Sequence, residues 1–250
     1  MDIDDLMYDS GDFSLETEIL EGDLAAVDLV LPDQLYIIPI RYRPIFPGIV
    51  TPLIISQGRF TRVIDKAISE YRAIGLVMIR DDEKNEIDFE DIYEFGTAAR
   101  ILKKINLPDG GVNVLINSVK RFKITEKIDN KKYLLANVKY LEDRIDRKDK
   151  MEIKALTREI LGKLKILSEN NPLFTEEMKL TMLNVEEPGK IADFVTSILN
   201  LEKKEYQDVL EKLNVRDRLG MVLHLLHKEM EVADVQKKIH HQISDKIDRQ

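Results

Sequence analysis

The sequence predicts an α+β protein: a β-rich first half carrying one helix, followed by an all-α half that ends in a long helix. Three observations predict it. Between Leu35 and about Tyr140, short apolar runs alternate with Gly, Pro and Asp turns. One amphipathic segment interrupts those runs. From Met151 to the end the apolar spacing becomes helical. Strands grouped before helices indicate α+β rather than an alternating parallel sheet.

Taken in order, "LYIIPI" (35–40) is the first extended run. In "RFTRVIDKAISEYR", Phe60, Val63, Ile64, Ala67, Ile68 and Tyr71 share one helical face. "GLVMIR" (75–80) and "GTAARILKKINL" (96–107) are again extended, and "PDGG" (108–111) turns the chain into "VNVLIN" as a hairpin. "RFKITEKI" and "YLLANVKYLED" (133–143) complete the set, and many short strands with frequent turns suggest a small barrel or strongly bent sheet. A charged connector, "DRIDRKDK", comes next. Helices are expected over about 149–169, 174–184, 189–199, 203–213 and 215–248, with breaks at "ENNP" and "EEPG". The last carries a thin stripe of Val235, Ile239, Ile243 and Ile247 and shows no stop signal at "DKIDRQ", so the chain reads as cut within a continuing helix.

Charge is segregated. Of the 46 acids, ten lie in residues 1–30, which hold no Lys or Arg; this leaves 36 acids against all 38 Lys and Arg in the rest. The expected organisation is an acidic, disordered tail over 1–32, a β-rich lobe over 33–143 and a helical lobe over 144–250. The chain lacks cysteine, which removes disulfides and thiolate chemistry and suits a reducing cytoplasm. No apolar run reaches membrane-spanning length, and the first residues lack a signal-peptide pattern, so no membrane partner is expected.

Catalytic spacing is missing. Gly189-Lys190 and Gly162-Lys163 lack the upstream glycine and following hydroxyl of a phosphate-binding loop, and "EPGKIADF" reads instead as a helix start with Pro188 in its first turn. No serine occupies a G-x-S-x-G elbow. His224 and His227 share a helix side without a third ligand in view, and His240-His241 cannot share a face, so no metal is assigned. Basic clusters at Lys103-Lys104, Lys120-Arg121-Lys123 and Lys131-Lys132 include one aromatic residue, Phe122, fewer than a nucleic-acid groove presents. No catalytic, cofactor or metal residue is assigned, and the expected activity is recognition or assembly.

"RPIFPGIVTP" (43–52) combines three prolines with apolar side chains. Pro44, Pro47 and Pro52 lack amide donors, so the segment is expected to be a strand ending near Ile40, a rigid turn over 43–48 and a second strand from about Val50. Ile45, Phe46, Pro47 and Ile49 are the candidate contact residues. They either plug the end of the barrel or form a stiff exposed patch for unfolded chains.

"LYIIPIRYRPIFPGIVTPLII" resembles the opening of the Lon protease N-terminal domain, a Pro-Leu-Arg segment followed by Phe-Pro-Gly and Pro-Leu; the matches are Pro39-Ile40-Arg41, Phe46-Pro47-Gly48 and Pro52-Leu53. "IYEFGTAARILKKINLPDGGVNVLINSVKRFKI" resembles that family's Gly-Thr-x-Ala-x-Ile strand, its Pro-Asp-Gly turn and the strand ending in an Arg-aromatic pair. The likeness covers about 33–250, and Tyr42-Arg43 departs from the pair often found there. The resemblance implies a PUA-like β-lobe and a helical lobe that recognise unfolded or damaged proteins and support assembly of a hexameric ring. It implies a parent ATP-dependent serine endopeptidase with a Ser-Lys dyad, whose ATP and magnesium belong to a motor absent from these residues. The alternative is a stand-alone PUA-like module for RNA or a small ligand.

Overall fold

Alternating side chains and turn residues dictate a sheet from Gln34 to Tyr140, and helical periodicity dictates the elements beyond it. The computed structural model describes residues 31–247 apart from 82, 83, 85, 129–131 and 170–186, and the side chains of 237 and 240–247 also lie outside the description. Residues 1–30 of the acidic segment and the helix expected over 174–184 therefore fall outside the described residues. From Pro32 on, the chain forms one compact unit.

The order is β1 (Gln34–Ile40), β2 (Val50–Ile55), α1 (Arg59–Glu70), β3 (Ala73–Ile79), β4 (Ile92–Asn106), β5 (Val112–Ile128) and β6 (Leu135–Tyr140). The helices α2 (Lys150–Glu169), α3 (Pro188–Ile198), α4 (Lys203–Glu211) and α5 (Val215–Ile247) come next. These helix bounds fall within about two residues of the sequence-based ones. The fold class is α+β, as the sequence indicates. One expectation is corrected: "VNVLIN" and "RFKITEKI" are not separate strands but parts of the 17-residue β5.

β5 organises the sheet. Its first half lies between β2 and β4, with Val50 opposite Asn117 and Ile55 opposite Val112. Its second half pairs with β6 on the side that β2 occupies earlier, Phe122 opposite Tyr140. The sheet order β2-β5-β4-β3-β1-β6 thus returns from β6 to β5, and register shifts at Ala98/Ala99 and Ile124/Glu126 accommodate the bend. Among the described strands of the sheet, β1 and β3 alone run parallel, joined by a crossover through β2 and α1. Inside the bend, the fully buried Phe122 ring stands over Gly75 and Gly96; a Cβ on either glycine would come within 2.9 Å of it. Glycine here supplies space for a ring from β5, one strand away from Gly96 and two from Gly75. α1 covers the face opposite Phe122, where Val63, Ile64 and Ala67 share a core with Ile101, Val114 and Ile116. The half-buried Tyr140 phenol donates to the Pro32 carbonyl at 2.7 Å, and burial pushes its pKa up, so it remains a donor that fixes the start of the sheet.

The helices share a second core: Ile153, Ile160 and Leu164 of α2, Ile191 and Val195 of α3, Val209 and Leu210 of α4, and Val215, Leu219, Val222 and Leu226 of α5. α3 starts at Pro188, where its missing amide costs nothing, and α4 starts with a capping box between Glu202 and Glu205.

Charge joins the two cores. Arg121 neighbours Phe122, so strand alternation sends it to the opposite face, towards the helices. Its guanidinium meets both Asp193 oxygens at 2.8 and 2.5 Å and donates to the Leu210 carbonyl at 2.9 Å. Arg218 of α5 reaches the same carboxylate at 3.1 Å, pairs with both oxygens of Asp143, and donates to the Lys212 carbonyl at 2.8 Å. Arg121, Asp193 and Arg218 are 4%, 2% and 0% exposed. Gly189 faces this cluster: a Cβ there would lie 2.2 Å from an Asp143 oxygen. The connector adds a backbone bridge, with Val215 N–H donating to the Arg144 carbonyl at 3.0 Å.

Removing one partner of a buried ion pair strands the other charge. Asp193→Ala is expected to lower unfolding free energy by about 3–5 kcal/mol in a urea melt. Glu142→Ala, which removes the exposed partner of Lys120, is expected to cost less than about 1 kcal/mol. Equal melts for the two variants would show that the buried cluster does not hold the helices on the sheet.

Candidate functional site

The proline-rich segment 43–49 is built as a rivet between the two cores. Pro44 is buried, Ile45 packs on the sheet core, and Phe46, fully buried, lies in the helical core with Ile49 beside it. Gly48 adopts φ +86°, a left-handed conformation that other residues resist. Ser118 of β5 satisfies the turn's polar backbone: its hydroxyl donates to the Phe46 carbonyl, its carbonyl accepts from Gly48 N–H at 2.8 Å, and its Oγ accepts from Ile49 N–H at 3.0 Å. Two adjacent side chains, Ile45 and Phe46, therefore enter different cores. Of the four candidate contact residues, Phe46 has no surface to offer in this conformation, while Ile45, Pro47 and Ile49 are half-buried.

The exposed apolar surface begins one residue later. Along β2, Thr51, Leu53 and Ile55 turn towards the interior and Val50, Pro52 and Ile54 towards solvent. Val50 is 56% and Ile54 70% exposed. Cross-strand partners share a face, so three rows run across β2, β5 and β4. They are Val50–Asn117–Arg100, Pro52–Leu115–Lys103 and Ile54–Asn113–Ile105. The rows contain five apolar residues, two asparagines, two cations and no carboxylate. Ile105 is also well exposed. Solvated apolar side chains grouped in this way mark an interaction surface more often than a bare fold requirement.

β2 is also an edge strand, paired with β5 alone among the described strands. Ser118 N–H donates to the Ile49 carbonyl at 2.9 Å, which sets the phase of the ladder. By the period of two, Thr51, Leu53 and Ile55 direct their backbone groups at β5, and Val50, Pro52 and Ile54 direct theirs outward. Pro52 thus sits where its missing amide takes nothing from the β5 ladder.

The other sequence candidates lie elsewhere. Arg121 and Phe122, from the basic cluster, are both buried. Lys120 pairs with Glu142, Lys104 with Asp65, and Lys123 with Glu94 at 3.3 Å while lying 5.4 Å from the centre of the Phe95 ring. His224 and His227 are exposed on α5, and among the described residues no three His, Asp or Glu side chains converge to hold a metal ion. Gly189-Lys190 lies in the first turn of α3, with Lys190 paired to Glu187 at 2.7 Å. Among the described residues no helix is long and apolar enough to cross a membrane. The edge position of β2 escaped the sequence reading; the one available signal was Pro52 inside an otherwise strand-like run.

Comparison with known proteins gives this surface its context. Residues 34–228 match the family described as the ATP-dependent protease La (LON) substrate-binding domain. A Lon protease of Leptospira interrogans is 49% identical over 232 residues, covering 93% of this chain and 27% of that protein. A Lon protease of Treponema pallidum is 46% identical, covering 89% of this chain and 25% of that protein. The chain thus spans about a quarter of the length of these relatives. The solved N-terminal domain of a Mycobacterium avium complex Lon protease shares the fold, with a TM-score of 0.64 at 18% identity over 78% of this chain and 98% of that one. On the family match and these identities, the chain belongs to the LON substrate-binding domain family.

Proposed function

We propose that this chain is the part of an ATP-dependent protease that recognises misfolded and regulatory proteins, and that it does so through the outer face of β2, β5 and β4. The observation that carries the reading is that carboxylate-free apolar face, lying within the residues matched to a substrate-binding family. Unfolded chains differ from native ones chiefly in offering apolar side chains and unpaired backbone, and an exposed apolar edge meets both. The turn that precedes β2 is fixed by Ser118 and Phe46, so the strand loses little freedom when it binds.

The rest of the proposed machine lies outside this chain. Peptide-bond hydrolysis by a Ser-Lys dyad, ATP with magnesium, assembly into a hexameric ring and residence in the cytoplasm belong to the whole protein that the relatives' name suggests. Within this chain the proposed task is capture, with Ile45, Pro47 and Ile49 extending the contact from β2 towards the helices.

Two substitutions separate capture from folding. Ile54→Asp places a carboxylate on the exposed face, and it is expected to weaken binding of reduced, carboxymethylated α-lactalbumin by about tenfold, roughly 1.4 kcal/mol, while leaving the melt unchanged. Phe46→Ala is expected to do the reverse in kind, lowering stability by about 3–5 kcal/mol through the cavity left in the helical core. Fluorescence anisotropy and urea melts on both variants check this. Wild-type binding by Ile54→Asp would remove the face from the reading.

A further inference from the structure

We propose that the free edge of β2 accepts an extended polypeptide segment as an added β-strand, with the segment's alternate apolar side chains lying over Val50, Pro52 and Ile54. The inference rests on the recognition reading above and specifies what is recognised: backbone in extended form, bearing apolar residues at every second position and acidic rather than basic flanks.

Backbone chemistry selects this occupant. The outward groups of β2 are the N–H and C=O of Val50, the C=O of Pro52, and the N–H and C=O of Ile54, as the ladder phase requires. The Pro52 carbonyl has only the Thr51 hydroxyl nearby, at 3.4 Å, and the outward groups of Val50 and Ile54 make no hydrogen bond among the described residues. Such a row of donors and acceptors, spaced by two residues, is matched by another strand and not by a helix or a compact side chain.

Side chains set the preference. In an added strand, the residues opposite Val50, Pro52 and Ile54 project to the same face as those three, where the apolar surface continues through Leu115 and Ile105. Charge discriminates next. The middle row carries the exposed Lys103 beside Pro52 and Leu115, and the three rows hold no carboxylate of their own, so acidic flanks are favoured and basic ones opposed. Pro52 sets the strength. It removes the central donor of the edge, leaving a strand pairing that is short and readily reversed.

The test uses the 250-residue chain and a fluorescein-labelled peptide of alternating valine and threonine with aspartates at both ends. With the peptide added antiparallel and its valines over the apolar face, the valine amides point at β2 and the threonine amides point away. N-methylation of the valines is therefore expected to weaken binding at least about tenfold, and N-methylation of the threonines to leave it near the parent value. On the protein side, Pro52→Val restores the missing donor and is expected to tighten binding several-fold. Replacing the peptide's aspartates by lysines is expected to loosen it. If reduced, carboxymethylated α-lactalbumin binds but the two methylated peptides bind equally, or neither they nor the parent binds, strand addition is overturned and recognition by side chains stands. If neither the unfolded protein nor any peptide binds, the recognition reading itself fails.

Discussion

The fold hangs on one carboxylate shared by two arginines. Asp193, at 2% exposure, accepts from Arg121 of the sheet and Arg218 of the last helix, and Asp143 caps the second guanidinium from the more solvated side. Each of the two arginines also donates to a carbonyl at the end of α4, Arg121 to Leu210 and Arg218 to Lys212. Burying two guanidinium groups is costly unless every direction is answered, and here the answers come from the connector, α3 and α4 at once. The cluster therefore acts on geometry as much as on stability: it favours the arrangement of helices and sheet that places these acceptors around Arg121 and Arg218. An apolar contact, being non-directional, would not choose that arrangement.

The proposed surface depends on the same strand. Ser118 lies three residues before Arg121 on β5 and holds the turn whose Phe46 enters the helical core. β2 leaves that turn already oriented, its other long side is unpaired among the described strands, and β6 takes over the β2 side of β5 beyond the bend. A long bent strand thus produces both an anchor and an edge. Had "VNVLIN" and "RFKITEKI" been two strands joined by a loop, the edge and the anchor would be mechanically independent.

The sequence showed what periodicity can show. The strand-to-helix change, the apolar face of α1, the Pro-Asp-Gly-Gly hairpin and the start of α3 at Pro188 are all local patterns, and each stands where it was read. The continuity of β5 was hidden by "SVKR", whose polar residues resemble a break; in the structure Ser118 is buried against the turn and Arg121 against the helices. The ion cluster was hidden for a different reason. Positions 121, 143, 193 and 218 have no local relation, so charge alone placed Arg121 with surface lysines. Which side chains of "IFPGIVTPLII" turn inward was hidden for a third reason: the stretch is almost wholly apolar, and only pairing with β5 decides it.

Pro52 shows how one residue reconciles two opposed demands. A recognition surface for unfolded chains must expose apolar side chains and unpaired backbone, and the same features invite pairing with any other exposed edge, including that of a second copy. Charges on the edge would suppress self-pairing but also repel the apolar segments to be captured. A proline at an outward position leaves the apolar face intact and deletes one donor from the ladder. Its own fold does not suffer, since the β5 side of β2 needs no amide there. The edge remains sticky enough to sample extended chains and too incomplete to hold them without further contacts. Under the proposed recognition role, weak and renewable contact is the useful regime, because affinity is then set by a fast release.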